Sequence, residues 1–393
     1  MSVPPSPASQ LGLLSGLRAA GGGAIPTLVS SAGAVALALL AGGVVILVSG
    51  QDPLLAYQAM FIGAFGGPRE ISETLIAAAP LILGGLAFAI AYQAGLFNIG
   101  IEGQLVLGGL AAGLVAATPL GLPIFVHLPL AVLAAVVAGG FWGGLPGFLK
   151  ARTGAHEVIT TIMLNYIAFR ISAYVIANQG IFPMVNPSLQ ATNPAVPEAE
   201  LPRLIEGTRL HAGLILALVA AAILWYVLFR TTFGYRLRMV GISRGAAAFA
   251  GVSWGKTITV AMVLSGVLGG LAGAGETLGL QGRYFNISSG YGFTAIAVGL
   301  VGRNHPAGVV LAGLLFGALN AGATRMQSTA GTPRDLVSVL LGLVILSVAA
   351  FSAIDYFRRR RQQAARARGS TRDRAAADAG EPEVPPAVTP PAI

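Results

Sequence analysis

From residue 28 to residue 354 the chain is a succession of apolar stretches, most of them near membrane-crossing length, separated by short polar or glycine-rich breaks. About 20 apolar residues in helical form cross the hydrocarbon core of a bilayer. Laid along the chain, that length marks ten spans: 28–49, 72–93, 103–121, 124–149, 157–178, 211–230, 257–279, 291–303, 306–324 and 334–354. The eighth is short, and 52–67 reads as a further, interfacial helix. The predicted fold class is an all-α polytopic membrane protein of about ten transmembrane helices. Residues 1–27 form a flexible cytoplasmic segment in this reading, and 355–393 a disordered, basic, Pro-rich cytoplasmic tail.

Charge agrees with the span pattern. Only 10% of residues are charged, against about a quarter in a soluble domain. The net charge of +9 sits largely at span ends and in the tail, with no soluble domain to gather it into a nucleic-acid groove. No nucleic-acid partner is therefore expected, and the excess reads as a topology signal and contact with anionic lipid. With no cysteine and four scattered histidines, thiol chemistry and clustered metal sites are not expected. Residues 1–27 hold no apolar region ending in a cleavage site, so the first span reads as retained.

Short loops carrying Lys and Arg mark the cytoplasmic side. Lys150 and Arg152, then Arg236, Arg238, Arg244 and Lys256, then Arg303, then Arg358 to Arg361 all fall on one side if ten spans alternate. Both termini are then cytoplasmic. Segment 179–210 faces the other way, and its Arg203 and Arg209 are balanced in composition by Glu198, Glu200 and Glu206.

Two breaks resemble each other. Phe97-Asn98-Ile99 follows Leu83-Gly84-Gly85-Leu86-Ala87, and Phe285-Asn286-Ile287 follows Leu268-Gly269-Gly270-Leu271-Ala272. The two copies close spans two and seven. Five spans of separation is an odd number, so the copies cross in opposite directions. This predicts an inverted internal repeat, with a functional site where the halves meet near the midplane.

In the first break, Gly95, Gly100 and Gly103 let the backbone leave helical geometry, while Asn98, Glu102 and Gln104 bring donors and acceptors among apolar spans. Those polar groups either line a solute path or hold the break, Glu102 as a cap at a helix N-terminus. Asn98 and Asn286, being echoed, favour the holding role. In span five, Glu157, Thr161, Asn165 and Phe169 recur every four residues along one face, with Tyr166 beside them. An amide and an aromatic ring suit a neutral, ring-containing solute; interhelical hydrogen bonding is the equal alternative. Arg170 in the same span needs an internal partner or water. Candidate path residues are Thr161, Asn165, Tyr166, Phe169, Asn98, Glu102, Gln104, Asn286 and Tyr291.

Between spans six and seven, Ser243 can cap a short helix, Ala246 to Ala250 favour it, and Gly251 ends it. Such a helix can dock into a groove on a cytoplasmic partner. The candidate coupling residues are Arg238, Gly241, Ser243, Arg244, Ala247, Ala248 and Gly251. The phrase Ala250 to Thr257 imitates a phosphate loop but has alanine where its first glycine belongs, and no strand precedes it. ATP binding by this chain is not expected. Glu276, the other acid within a span, lies toward the outer end of span seven, an awkward place for a proton carrier. The Gly139/Gly143, Gly266/Gly270 and Gly313/Gly317 pairs mark close helix crossings.

Four segments in order resemble the permeases of ABC importers that serve branched-chain amino acids, ribose-like sugars and nucleosides. They are Ala94 to Gln104, Glu157 to Tyr166, Arg238 to Gly251 and Gly290 to Leu300. The likeness covers roughly 30–355 and is strongest to the longer permease of nucleoside (simple-sugar-type) importers; Ile101 departs from its usual small residue. It implies a non-enzymatic transport subunit without cofactor in a bacterial plasma (inner) membrane. The implied partners are a second homologous permease, a cytoplasmic ATPase with two nucleotide-binding domains and an extracytoplasmic substrate-binding lipoprotein. The loop Arg238 to Gly251 would be the coupling helix, and span five would border the path. The expected solute is a purine or pyrimidine nucleoside, with a simple sugar second. An ion-gradient carrier is a remaining rival, and a membrane-embedded enzyme is disfavoured because no catalytic dyad appears in the spans.

Overall fold

A computed structural model of the chain describes residues 36–285 and 290–333, with scattered positions at 33 and 336–350. Residues 38–345 make up one compact unit, and the two ends, 1–37 with 346–393, make up another that holds few described residues. The first 27 residues, the tail, most of the tenth predicted span and Asn286 lie outside the described residues.

The chain is mostly helical: α1 (Ala36–Val48), α2 (Pro53–Phe65), α3 (Pro68–Gln93), α4 (Ile101–Ala117), α5 (Ile124–Thr153), α6 (Glu157–Ala177), α7 (Gly213–Arg230), α8 (Thr232–Ile242), α9 (Arg244–Phe249), α10 (Trp254–Ala274), α11 (Tyr291–Val301) and α12 (Pro306–Ala330). A π-helical turn, Gly275–Gln281, prolongs α10. Among the described residues six helices are long and apolar enough to cross a membrane: α3, α5, α6, α7, α10 with its π turn, and α12. The first, third and eighth predicted spans coincide with shorter apolar helices, α1, α4 and α11. The helix expected at 52–67 is α2, started by Asp52, whose Oδ1 accepts from the amides of Leu54 and Leu55.

Helix α3 is the axis of the bundle. It is buried nearly without interruption from Ile76 to Ala91, as befits a helix that is apolar on every side, and it packs against α10, α11 and α12. The closest seam joins α5 to α10. A Cβ on Gly139 would stand 2.4 Å from the Gly266 carbonyl, and one on Gly143 would stand 2.7 Å from Gly266 Cα. Two of the predicted glycine pairs therefore face each other, where only backbone fits. The third pair, Gly313 and Gly317, lies against α3 at Ile82 and Ala78.

The loops that join the helices gather at two ends of the bundle. At one end Gln93 Nε2 donates to the Asn304 carbonyl (3.1 Å), Phe229 meets His305 (ring centroids 5.1 Å apart), and Lys150 pairs with Glu157 across the α5–α6 turn. This end carries Arg238, Arg244 and Arg303. At the other end the 178–212 segment folds over the helix termini with one two-residue hairpin, Val185–Asn186 against Ala191–Thr192. Here the Thr192 amide donates to the Tyr284 carbonyl (2.8 Å), and that of Val196 to the Ala116 carbonyl (2.9 Å). Arg209 forks onto Glu73 of α3 (3.0 and 2.6 Å) rather than pairing with a glutamate of its own segment.

Candidate functional site

The first break starts at Gly95, whose φ of +76° turns the chain out of α3. Residues 96–100 then run without regular structure until α4 starts at Ile101. The amide and carbonyl groups freed there lie among buried helices, and each needs a partner.

Asn98 supplies the first set. Fully buried, its Oδ1 accepts from the Gly100 amide (2.8 Å), and its Nδ2 donates to Ser265 Oγ on α10 (2.8 Å) and, longer, to Gln104 Oε1 (3.4 Å). Ser265 Oγ in turn donates to the Ala87 carbonyl (2.6 Å), so one serine ties α3, the break and α10 together. Asn165 of α6 supplies the second set: its Oδ1 accepts from the Gly103 amide (2.9 Å), and its Nδ2 donates to the Ile99 carbonyl (2.9 Å). Thr161 Oγ1 donates to the Glu157 carbonyl (2.7 Å) and accepts from the Ile99 amide (3.4 Å). The face of α6 that bears Thr161 and Asn165 thus turns inward, onto α4 and the break.

Glu102, fully buried in the first turn of α4, reaches across to the start of α11. Its Oε1 accepts from the Gly290 amide (3.1 Å) and its Oε2 from the Gly292 amide (2.6 Å). One carboxylate thereby lies at two helix N-termini, both of which favour negative charge. Glu102 lies in the first turn of its own helix, and the start that its carboxylate caps is that of α11.

Outward from that face, toward Tyr166 and Arg170, α6 is unlike it, and Phe169 stays with the inward face, packed against the cluster of Val106, Leu110 and Val175. Tyr166 is 62% exposed and meets the partly buried Phe169 edge-on (centroids 6.3 Å apart). Arg170 is exposed beside them and has no hydrogen-bond or ion-pair partner among the described residues. Tyr291, at the start of α11, lines a cavity of about 450 Å³ that opens between the ends of α3 and α12. Its walls include Asn320 and two ion pairs, Arg209–Glu73 and Arg325–Glu70 (3.5 Å).

Between α7 and α10 the chain forms α8 and the short α9. Ser243 Oγ accepts from the Ala246 amide (3.3 Å), and Gly251, with φ +72°, ends the turn, while Ala247 is buried and Ala248 exposed. Arg238 stacks over Phe229 (4.8 Å) and Arg244 over Trp254 (4.0 Å). Phe249 is 97% exposed and Ile242 87%. Gly241 lies flat on the end of α3: a Cβ there would stand 2.2 Å from the Gln93 carbonyl oxygen. The segment between spans six and seven therefore touches the first break.

Sequence reasoning missed Ser265 and the Glu73–Arg209 pair. A hydroxyl in the middle of an apolar helix was the available signal for Ser265, since such a group seeks a partner in lipid. Glu73 and Arg209 are 136 residues apart, and no local pattern joins them.

Residues 70–349 match the family model described as branched-chain amino acid transport system / permease component. The chain is 42% identical to the guanosine ABC transporter permease protein NupP of Bacillus subtilis, over 82% of this chain and 93% of NupP. It is 36% identical to the nucleoside ABC transporter permease protein NupB of Lactococcus lactis subsp. cremoris, over 80% and 89% of the two chains. It is 39% identical to the glucose ABC transporter permease protein TsgB13 of Haloferax volcanii, over 79% and 84%.

Proposed function

Since the chain belongs to the permease components of the branched-chain amino acid transport system family, we propose that it is the path-forming subunit of an ATP-driven importer of nucleosides. The similarity to NupP and NupB supports the nucleoside. The similarity to TsgB13 supports a simple sugar as the second reading.

Arg170 carries the assignment of the path. A lone arginine on an exposed face within a membrane span is unfavourable against lipid. Counting about 1.5 Å per residue, it stands about 20 Å from the start of α6, well inside the span. Tyr166 and Phe169 flank it with aromatic surface. This face is occupied by a second, homologous permease with a wet path between the two. Tyr166, Phe169 and Tyr291 border the solute. Asn98, Glu102, Gln104, Thr161 and Asn165 shape the path by holding the break, and Asn286, outside the described residues, remains a candidate path residue through its sequence echo of Asn98.

The ten-span inverted arrangement is part of the proposal. The short helices α4 and α11 each follow a long helix and a break, and they start side by side at Glu102. Half-helices whose N-termini meet inside the membrane suit an inverted repeat around a midplane site. The basic end, with Lys150, Arg152, Arg236, Arg238, Arg244, Lys256 and Arg303, is cytoplasmic, as are both termini of the chain. The membrane is the bacterial plasma membrane. There α9, with Ser243, Arg244, Ala247, Ala248 and Gly251, enters a groove of a cytoplasmic ATPase that has two nucleotide-binding domains. Arg238 and Gly241 carry its movement to the break. A substrate-binding lipoprotein delivers solute at the opposite end. ATP is bound by the partner, and this subunit needs no cofactor.

The test is reconstitution of the whole importer in proteoliposomes. ATP-dependent uptake of guanosine is expected, abolished without the ATPase and cut severalfold by Arg170→Leu. Uptake by this chain alone, driven by a pH gradient, would overturn the reading; ATP-dependent uptake of glucose and not of guanosine would replace the solute.

A further inference from the structure

A second cavity, of about 330 Å³, lies between α4 and the π turn at the end of α10. Leu105 and Gly109 of α4 form one wall, and Glu276, Thr277, Gln281 and Arg283 form the other. Its volume is at the small end of the range for small-ligand pockets, about 300–1,000 Å³. A π turn places one more residue in a helical turn than α geometry allows, and such turns recur at functional sites. Here the turn runs from Gly275 to Gln281 and carries Glu276 in its first positions.

Glu276 differs from the other carboxylate within the bundle. Glu102 accepts from two backbone amides, whereas Glu276 has no hydrogen bond or ion pair with any described residue, although it lines the cavity. Arg283, in the same wall, lies over the Phe285 ring (5.9 Å) and does not pair with it. A carboxylate kept inside a membrane bundle without a partner is costly, so such a group calls for something that satisfies it. The cavity offers an acceptor at Glu276, donors at Arg283 and Gln281, a hydroxyl at Thr277 and the Phe285 ring. It holds no metal-like cluster of acids or histidines among the described residues.

We propose that Glu276 is a solute-binding residue, and that its carboxylate accepts hydrogen bonds from two neighbouring hydroxyls of a neutral sugar ring. A carboxylate has two acceptor oxygens, which match a vicinal diol. The diol is either the ribose of a nucleoside or part of a hexose. The inference rests on the importer reading above and adds to it a contact point within this subunit, away from the α6 face.

The experiment is saturation-transfer NMR on the complete importer in nanodiscs, without lipoprotein, with uridine, 2′,3′-dideoxyuridine and glucose as separate probes. The wild type is expected to transfer strongly to uridine or to glucose, and whichever responds identifies the source of the diol. Dideoxyuridine should respond at least fivefold less than uridine if the source is ribose. Glu276→Gln should cut the diol signal at least fivefold, and Glu276→Asp should cut it less, with melting temperature unchanged for at least one of the two. An undiminished signal in Glu276→Gln would overturn the proposal. So would a loss that follows the melting temperature in both variants, or no transfer to either diol in the wild type. Guanosine uptake by the wild type tests the importer reading separately, and it can succeed while this site fails.

Discussion

Glu102 accepts a hydrogen bond from the Gly292 amide at 2.6 Å, joining the first turns of two helices that are 190 residues apart in the chain. Gly290 donates to the other carboxylate oxygen, so the start of α11 is held from α4. The carboxylate thus ties the first turn of α4 to the first turn of α11.

Removing that carboxylate leaves two amides unpaired in a buried place. Glu102→Ala is expected to cost about 1–3 kcal/mol for each unsatisfied group. Glu102→Gln keeps an acceptor oxygen and should cost less. Thermal melting of the purified protein in detergent checks the order; equal losses for the two variants would refute the capping role.

Gly292 allows the close approach. A Cβ there would stand 2.4 Å from Glu102 N and 2.5 Å from its Cα, atoms of backbone that cannot swing aside. Gly292→Ala should therefore lower stability by about 1–3 kcal/mol or more. Gly245→Ala, where the nearest atom is 4.0 Å away, should be tolerated. The comparison needs only the yield and melting temperature of the two variants.

Gly241 touches the other end of the same break. With a Cβ 2.2 Å from the Gln93 carbonyl oxygen, Gly241→Ala pushes α8 away from α3. The importer should keep ATP hydrolysis while uptake per ATP falls severalfold. Unchanged uptake per ATP would show that this contact carries no movement.

Phe249 presents nearly its whole side chain to the surroundings at the basic end. Aromatic anchors often dominate interfaces, and truncating one commonly costs 2 kcal/mol or more. Phe249→Ser should weaken capture of the ATPase by this permease at least about tenfold, equivalent to about 1.4 kcal/mol. A pull-down at graded ATPase concentration measures it, and Ile242→Ser should act in the same direction.

Much of the fold was legible in the chain because its causes are local. Six of the predicted spans are long apolar helices, since a run of such residues in lipid has little choice but helix. The short α9 was legible too, from a serine at its start and a glycine at its end. The glycine pairs of α5 and α10 foretold close crossings without saying that they cross each other. Span counting placed the third span at 103–121, where α4 runs Ile101–Ala117, and it marked the eighth, which is α11, as short.

The sequence alone determined which residues are polar inside the membrane: Asn98, Glu102, Gln104, Thr161, Asn165, Arg170 and Glu276. Only the tertiary structure decided what each is spent on. Asn98, Asn165 and Glu102 are consumed by backbone groups that the breaks set free, whereas Tyr166 and Arg170 turn to the open face of α6 and Glu276 to a cavity. The physical reason is that a polar side chain in a membrane must be paired, yet its partner is chosen by helices that meet only after folding. Helical spacing says which residues share a face and is silent on what that face will meet.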